Sequence, residues 1–158
     1  MSNLSTKDLV MIAMATAVIV AASMFILIPV PATHGFVTIV DAGIYLIAMA
    51  FGPLAGLLVG GLSGFLIDIL SGAANWALFS AIIHGIQGFL FAKLYLKQQK
   101  VIAYLASSIF MVLGYALATV FMFDWYAGVA SIPANCIQIV FSILLTELLG
   151  KRFVASLK

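Results

Sequence analysis

Apolar residues follow one another along this chain in long runs, broken at intervals by short clusters of polar and turn-forming residues. The first run extends from Asp8 to Ile28 and ends at Pro29-Val-Pro-Ala-Thr-His-Gly35. A run of about 20 apolar residues matches the length of helix that crosses a bilayer. Phe36 to Leu70 follows, at about 35 residues too long for one crossing. Gly52-Pro53 divides it, because proline lacks an N–H and clashes with the preceding turn. Further runs lie between the break at Ser71–Asn75, the Lys97–Lys100 cluster and the Asp124 region. The pattern predicts an all-α membrane protein of six helices in a single domain over 1–158, with spans at about 8–28, 38–51, 54–70, 76–96, 101–123 and 129–149. Continuous rather than alternating apolar character excludes a β-barrel.

Composition strengthens this reading. Of 158 residues, 65% are hydrophobic and 8% charged, whereas soluble domains carry about 25% charge. Met11–Ile28 is long for a signal-peptide core and Pro29-Val-Pro31 is a poor cleavage site, so a retained first span is expected. The basic residues are Lys7, Lys93, Lys97, Lys100, Lys151, Arg152 and Lys158. With six crossings they all fall on one side, which the positive-inside rule makes cytoplasmic, together with both termini. Treating Phe36–Leu70 as one crossing would move Lys93–Lys100 to the face opposite Lys7. Trp76, Trp125 and Tyr126 sit at the level of an outer aromatic belt.

Small residues recur every fourth position in two helices: Ala13, Ala17 and Ala21 in the first, and Gly52, Gly56, Gly60 and Gly64 in the third, continuing to Asp68 and Gly72. Such stripes let two helix backbones approach closely. The glycines are expected to pack within the chain.

Polar groups at membrane depth need a partner or a purpose. Ser131, Asn135, Gln138 and Ser142 share one face of the sixth span, and Ser80, His84, Gln87 and Gly88 one side of the fourth; Tyr115 and Thr119 lie in the fifth. At about 1.5 Å per residue, His84, Asn135, Gln138 and Tyr115 all lie roughly 9–13 Å below the outer ends of their spans. One polar layer from three helices is therefore predicted, with Trp76, Phe79, Phe110 and Trp125 supplying aromatic walls. An apolar cavity with a few convergent polar groups is the usual form of a small-molecule site, and this one suits a neutral aromatic ring with hydroxyl or amino substituents. Asp41 is placed in the first turn of the second span, where a carboxylate favours the helix dipole. Asp68, at the end of the glycine face, is placed at a helix interface. Glu147 and Lys151 form an i,i+4 pair. Pro29–Phe36, with Gly35 as hinge, is positioned to act as a lid. No phosphate loop, nucleophile–base pair, metal-ligand spacing or nucleic-acid motif is present, so neither an enzyme nor a cofactor is expected.

The stretch Val37–Asp68, and within it Phe51-Gly-Pro-Leu-Ala-Gly56, the spaced glycines and Asp68, resembles the second and third spans of S components of energy-coupling factor (ECF) transporters. The Ala13–Ala17–Ala21 stripe resembles the small-residue motif on that family's first helix. The resemblance implies a bacterial plasma-membrane subunit that binds a vitamin near the outer face. It implies docking, through the alanine stripe, on a membrane coupling subunit carried by two ATPases. It also implies ligand contacts from the first outer loop and helices four to six: here His34, Trp76, His84, Gln87, Tyr115, Asn135 and Gln138. Hydroxymethylpyrimidine, the thiamine precursor, or a pyridoxine-type vitamer is the implied ligand. The competing reading is a homo-oligomeric, proton-coupled transporter or channel with Asp41, Asp68 and His84 as proton carriers.

Overall fold

The structure, a computed structural model, describes residues 5–31 and 35–156. The sequence expectation for His34 falls outside them. The described residues form α1 (Thr6–Met24), a hairpin of β1 (Ile28–Val30) and β2 (Gly35–Val37), α2 (Val40–Phe51), α3 (Pro53–Ser71), α4 (Ala77–Tyr95), α5 (Lys100–Met122) and α6 (Trp125–Ser156).

The boundaries have local causes. Ser5 and Asp8 cap α1 reciprocally: the Ser5 N–H donates to Asp8 Oδ2 at 2.9 Å, and the Asp8 N–H to Ser5 Oγ at 3.2 Å, satisfying N–H groups that the first turn leaves without helical partners. The helix stops at Met24, four residues short of the predicted Ile28. Residues before proline avoid the α region, and Ile28-Pro29-Val30 instead pairs antiparallel with Gly35–Val37. Gly52, at φ 84°, turns the chain between α2 and α3, with Pro53 opening the new helix. Gly72, at φ 85°, ends α3, and the Ala73 N–H reaches back to the Asp68 carbonyl at 2.8 Å. This left-handed closing turn satisfies carbonyls that the helix end would otherwise leave open. Gly52 and Gly72 are thus turn residues, and the packing stripe proper is Gly56, Gly60 and Gly64. Asp124 starts α6 by accepting from the Ala127 N–H at 2.8 Å.

Five of the helices are long and apolar enough to cross a membrane; α2, with 12 residues, is shorter. At 1.5 Å per residue α2 reaches about 18 Å, against a hydrocarbon layer of about 30 Å.

The tightest packing joins α3 to α4. A methyl group on Gly56 would lie 2.6 Å from the Gly88 carbonyl oxygen, one on Gly64 2.7 Å from that of Ser80, and one on Gly60 would collide with that of His84. The glycine stripe therefore packs inside the chain, as expected, and fixes the face of α4 that carries Ser80, His84 and Gln87. Beside it, Tyr45, Phe91 and Tyr104 form a buried aromatic core between α2, α4 and α5. On α1, Ile12, Thr16 and Ile19 are buried, while Ala13, Ala17 and Ala21 lie on the exposed face. Glu147 accepts from Lys100 Nζ at 2.5 Å and from the Tyr104 hydroxyl at 2.7 Å, tying α6 to α5.

Candidate functional site

The end of the bundle away from the Lys93–Lys100 cluster holds a partly open cavity of about 50 Å³. A volume of that size takes several water molecules. Trp76, Ser80 and His84 of α4, Tyr115 and Thr119 of α5, and Ser131, Ala134, Asn135 and Gln138 of α6 form its walls. Ile67 and Asp68 of α3 join them, and Phe36 and Val37 of the hairpin form the roof.

Around the cavity runs a connected polar network. His84 Nδ1 lies 2.9 Å from Gln87 Oε1 and 3.3 Å from Asp41 Oδ1. An amide oxygen only accepts, so Nδ1 carries the proton between them. Nε2 lies 2.9 Å from the Tyr115 hydroxyl, which donates its proton to Ser80 Oγ at 2.7 Å. Behind His84, Gln87 Nε2 donates to the Tyr45 hydroxyl at 3.0 Å. On the other side, Gln138 Nε2 donates to Asp41 Oδ2 at 2.7 Å, and Gln138 Oε1 accepts the Thr38 N–H at 2.7 Å. Gln138 thereby ties α6 both to α2 and to the residue that follows the strand roofing the cavity. Thr38 Oγ1 accepts the Val40 N–H at 3.0 Å at the start of α2. Asn135 donates to the Ser131 carbonyl at 3.1 Å.

Buried polar groups hold their positions when each has a partner, and here α2, α4, α5 and α6 all contribute partners. The rings add a second constraint: Trp76 packs on Tyr115 at 6.0 Å and on Phe79 at 6.3 Å between centroids, and His84 on Tyr115 at 5.5 Å. Spacings of this order are those of favourable offset and edge-on ring pairs.

Five of the predicted residues, Trp76, His84, Tyr115, Asn135 and Gln138, line one cavity. Gln87 does not: it is fully buried behind His84 and orients the imidazole. Of the predicted aromatic walls, Trp125 is 67% exposed and takes no part, while Phe79 backs Trp76; Phe36 supplies the wall in its place. Asp41 lies in the first turn of α2, as expected, and its side chain is occupied there by His84 and Gln138. The predicted tier of uncharged groups from three helices is in fact a tier that includes two carboxyl groups, Asp41 behind the wall and Asp68 in it. Asp68, expected at a helix interface, lines the cavity; an acid inside an apolar run with no Lys or Arg nearby is the sequence signal for such a position.

The sequence profile of a family described as "ECF-type riboflavin transporter, S component" matches residues 3–155. A protein of Lactococcus lactis subsp. cremoris (strain MG1363) named "Thiamine precursor transporter HmpT" is 32% identical over 151 residues, which are 95% of this chain and 89% of that protein. A protein of Pyrococcus woesei, described only as lying in the gap 3′ region, is 32% identical over 132 residues, 81% of this chain and 88% of the other. A solved structure, the S component of a bacterial ECF transporter, superimposes with a TM-score of 0.69 at 20% identity, covering 96% of this chain and 98% of that one.

Proposed function

The chain belongs to the ECF-type S components, the substrate-binding subunits of vitamin transporters in the cell membrane, and from that membership we propose that it captures a single small heteroaromatic ring in the cavity beneath the hairpin. Hydroxymethylpyrimidine is the first candidate and pyridoxine the second. The observation that carries this reading is the convergence of Trp76, His84, Tyr115, Asn135 and Gln138 on one space of about 50 Å³. Indole and phenol rings offer faces for stacking, and the imidazole, hydroxyl and amide groups offer edge contacts. A three-ring flavin would require the roof or α6 to move. The thiamine-precursor relative supports the choice of a one-ring ligand.

In this reading the hairpin is the lid. Phe36 closes the top, and Gln138 holds the lid strand through the Thr38 N–H, so a ligand that engages Gln138 alters the lid's anchor directly. The chain crosses the membrane six times, α2 being the short crossing, with the cavity outward and the lysine-rich end in the cytoplasm. The exposed Ala13–Ala17–Ala21 face receives the membrane coupling subunit, whose two ATPases drive release of the ligand inward. An apolar groove of about 550 Å³ beside that face, lined by Met11, Met14, Val18 and Leu46, extends the docking surface.

The test is to purify the chain without its partners and identify the co-purifying small molecule by mass spectrometry. A stoichiometric pyrimidine or pyridine bearing a hydroxymethyl group is expected. A stoichiometric flavin, or a chain that retains no small molecule and binds none on addition, contradicts the proposal.

A further inference from the structure

Two polar atoms in the cavity wall have no hydrogen-bond partner among the described residues: Asp68 Oδ2, an acceptor, and Trp76 Nε1, a donor. Both residues are 4% exposed, and both line the cavity. An unpaired buried polar atom costs stability on the order of 1–3 kcal/mol, so two in one small space mark a surface shaped for something that completes them. His84, Tyr115 and Gln138 of the same wall are already engaged. His84 uses both ring nitrogens, the Tyr115 hydroxyl bonds His84 and Ser80, and Gln138 bonds Asp41 and Thr38.

Backbone geometry sets the pair. The closing turn of α3 locks Asp68 through its carbonyl, which accepts from Ala73 at 2.8 Å, and the Trp76 N–H then bonds the Ala73 carbonyl at 2.8 Å. Asp68 and Trp76 are thus the two ends of one rigid turn. Rings packed on three sides, Phe79, Tyr115 and Phe123, hold the indole in place.

Resting on the vitamin-capture reading above, we infer that Asp68 and Trp76 read the ligand's edge as an acceptor–donor pair. They therefore select a heteroaromatic ring with an exocyclic amino group beside a ring nitrogen. The amino N–H donates to Asp68 Oδ2, and the ring nitrogen accepts from Trp76 Nε1. A ring with an oxo group in place of the amino group, its neighbouring ring nitrogen then carrying the proton, sets oxygen lone pairs against the carboxyl group and leaves Trp76 without its acceptor. A site built to hydrogen-bond a substituent rejects an analogue lacking it far more strongly than an apolar pocket rejects a change of size. Asp68 is thereby a specificity residue, and the aminopyrimidine is favoured over pyridoxine, which has no amino group.

The experiment is a calorimetric titration of the purified full chain with 4-amino-5-hydroxymethyl-2-methylpyrimidine, its 4-oxo analogue and pyridoxine, in the wild type, Asp68→Asn and Trp76→Phe. The wild type is expected to prefer the amino ring over the oxo ring by at least tenfold. Asp68→Asn, which keeps the shape but adds a donor, is expected to bring that ratio to near one or reverse it. Trp76→Phe is expected to weaken the amino ring roughly tenfold. A purely structural role would lower affinity for all three ligands alike and leave the ratio intact. If Asp68→Asn does not fold, Trp76→Phe reads the same pairing through its donor half. Tight binding of the amino ring with the amino-to-oxo ratio unchanged in the variants overturns the pairing and leaves vitamin capture standing. Wild-type binding of pyridoxine in preference to the amino ring overturns the pairing too. Failure of the wild type to bind any of the three overturns both.

Discussion

At the scale of single residues, the wall of the cavity divides into groups that hold one another and groups that face the space. Asp41, His84, Gln87 and Gln138 belong to the first kind. Replacing Asp41 with alanine strands the polar side chains of His84 and Gln138, which it holds at 3.3 Å and 2.7 Å. Breaking a buried pair from one side is costly, and Asp41→Ala is expected to destabilise the chain by about 3 kcal/mol, measured by reversible unfolding in detergent. Asn135 belongs to the second kind. Its one described bond is to the Ser131 carbonyl on its own helix, so Asn135→Ala is expected to leave the unfolding midpoint unchanged. Ligand affinity is expected to fall roughly tenfold, the size of one hydrogen bond. Unchanged affinity in Asn135→Ala removes that residue from the site. The depth of Asn135, Gln138, His84 and Tyr115 was legible in the sequence because helical rise is constant. Their division of labour was not, since Gln87 and His84 are one turn apart on one face and only tertiary contacts separate the residue that lines from the residue that backs.

Among the elements, α3 and α4 set the geometry on which the site depends. Their backbones touch at Gly56 and Gly88, and the same closeness brings His84 and Ser80 to the cavity. Gly60→Leu is expected to push the helices apart and lower both stability and ligand affinity, at a cost of about 1–3 kcal/mol for overpacking. Gly150→Ala, where a methyl group would meet Leu46 at 3.6 Å in ordinary contact, is expected to be neutral. Equal unfolding midpoints for the two variants would count against the close packing. The four-residue spacing made the stripe legible, and Gly52-Pro53 made the α2–α3 break legible. The β-hairpin was not: three-residue strands are too short to show alternation, and only the turn-forming Pro29–Gly35 segment hinted at it. The alanine stripe of α1 is exposed among the described residues, in contrast to the glycines. Ala17→Trp is expected to block assembly with the coupling subunit and ATPases in a co-purification assay while sparing ligand binding by the isolated chain. Normal assembly of Ala17→Trp would reject that face as the docking surface.

Across the whole molecule, the asymmetry of charge and the position of the cavity belong together. Lys93, Lys97 and Lys100 gather at one end and the cavity opens at the other, as expected of a subunit that takes a ligand from outside and hands it inward. A membrane-impermeant amine reagent added to intact cells is expected to leave the exposed Lys97 unlabelled until the membrane is opened, and labelling from outside would invert the topology. The account as a whole rests on the space beneath the hairpin being where the ligand sits. Ala134 lines that space, and a phenyl ring there takes up the volume a ligand ring would need. A calorimetric titration of the purified chain with hydroxymethylpyrimidine measures this directly: the wild type is expected to bind one ring per chain, and Ala134→Phe, with its unfolding midpoint retained, none. Wild-type affinity in Ala134→Phe would place the ligand elsewhere and contradict the account.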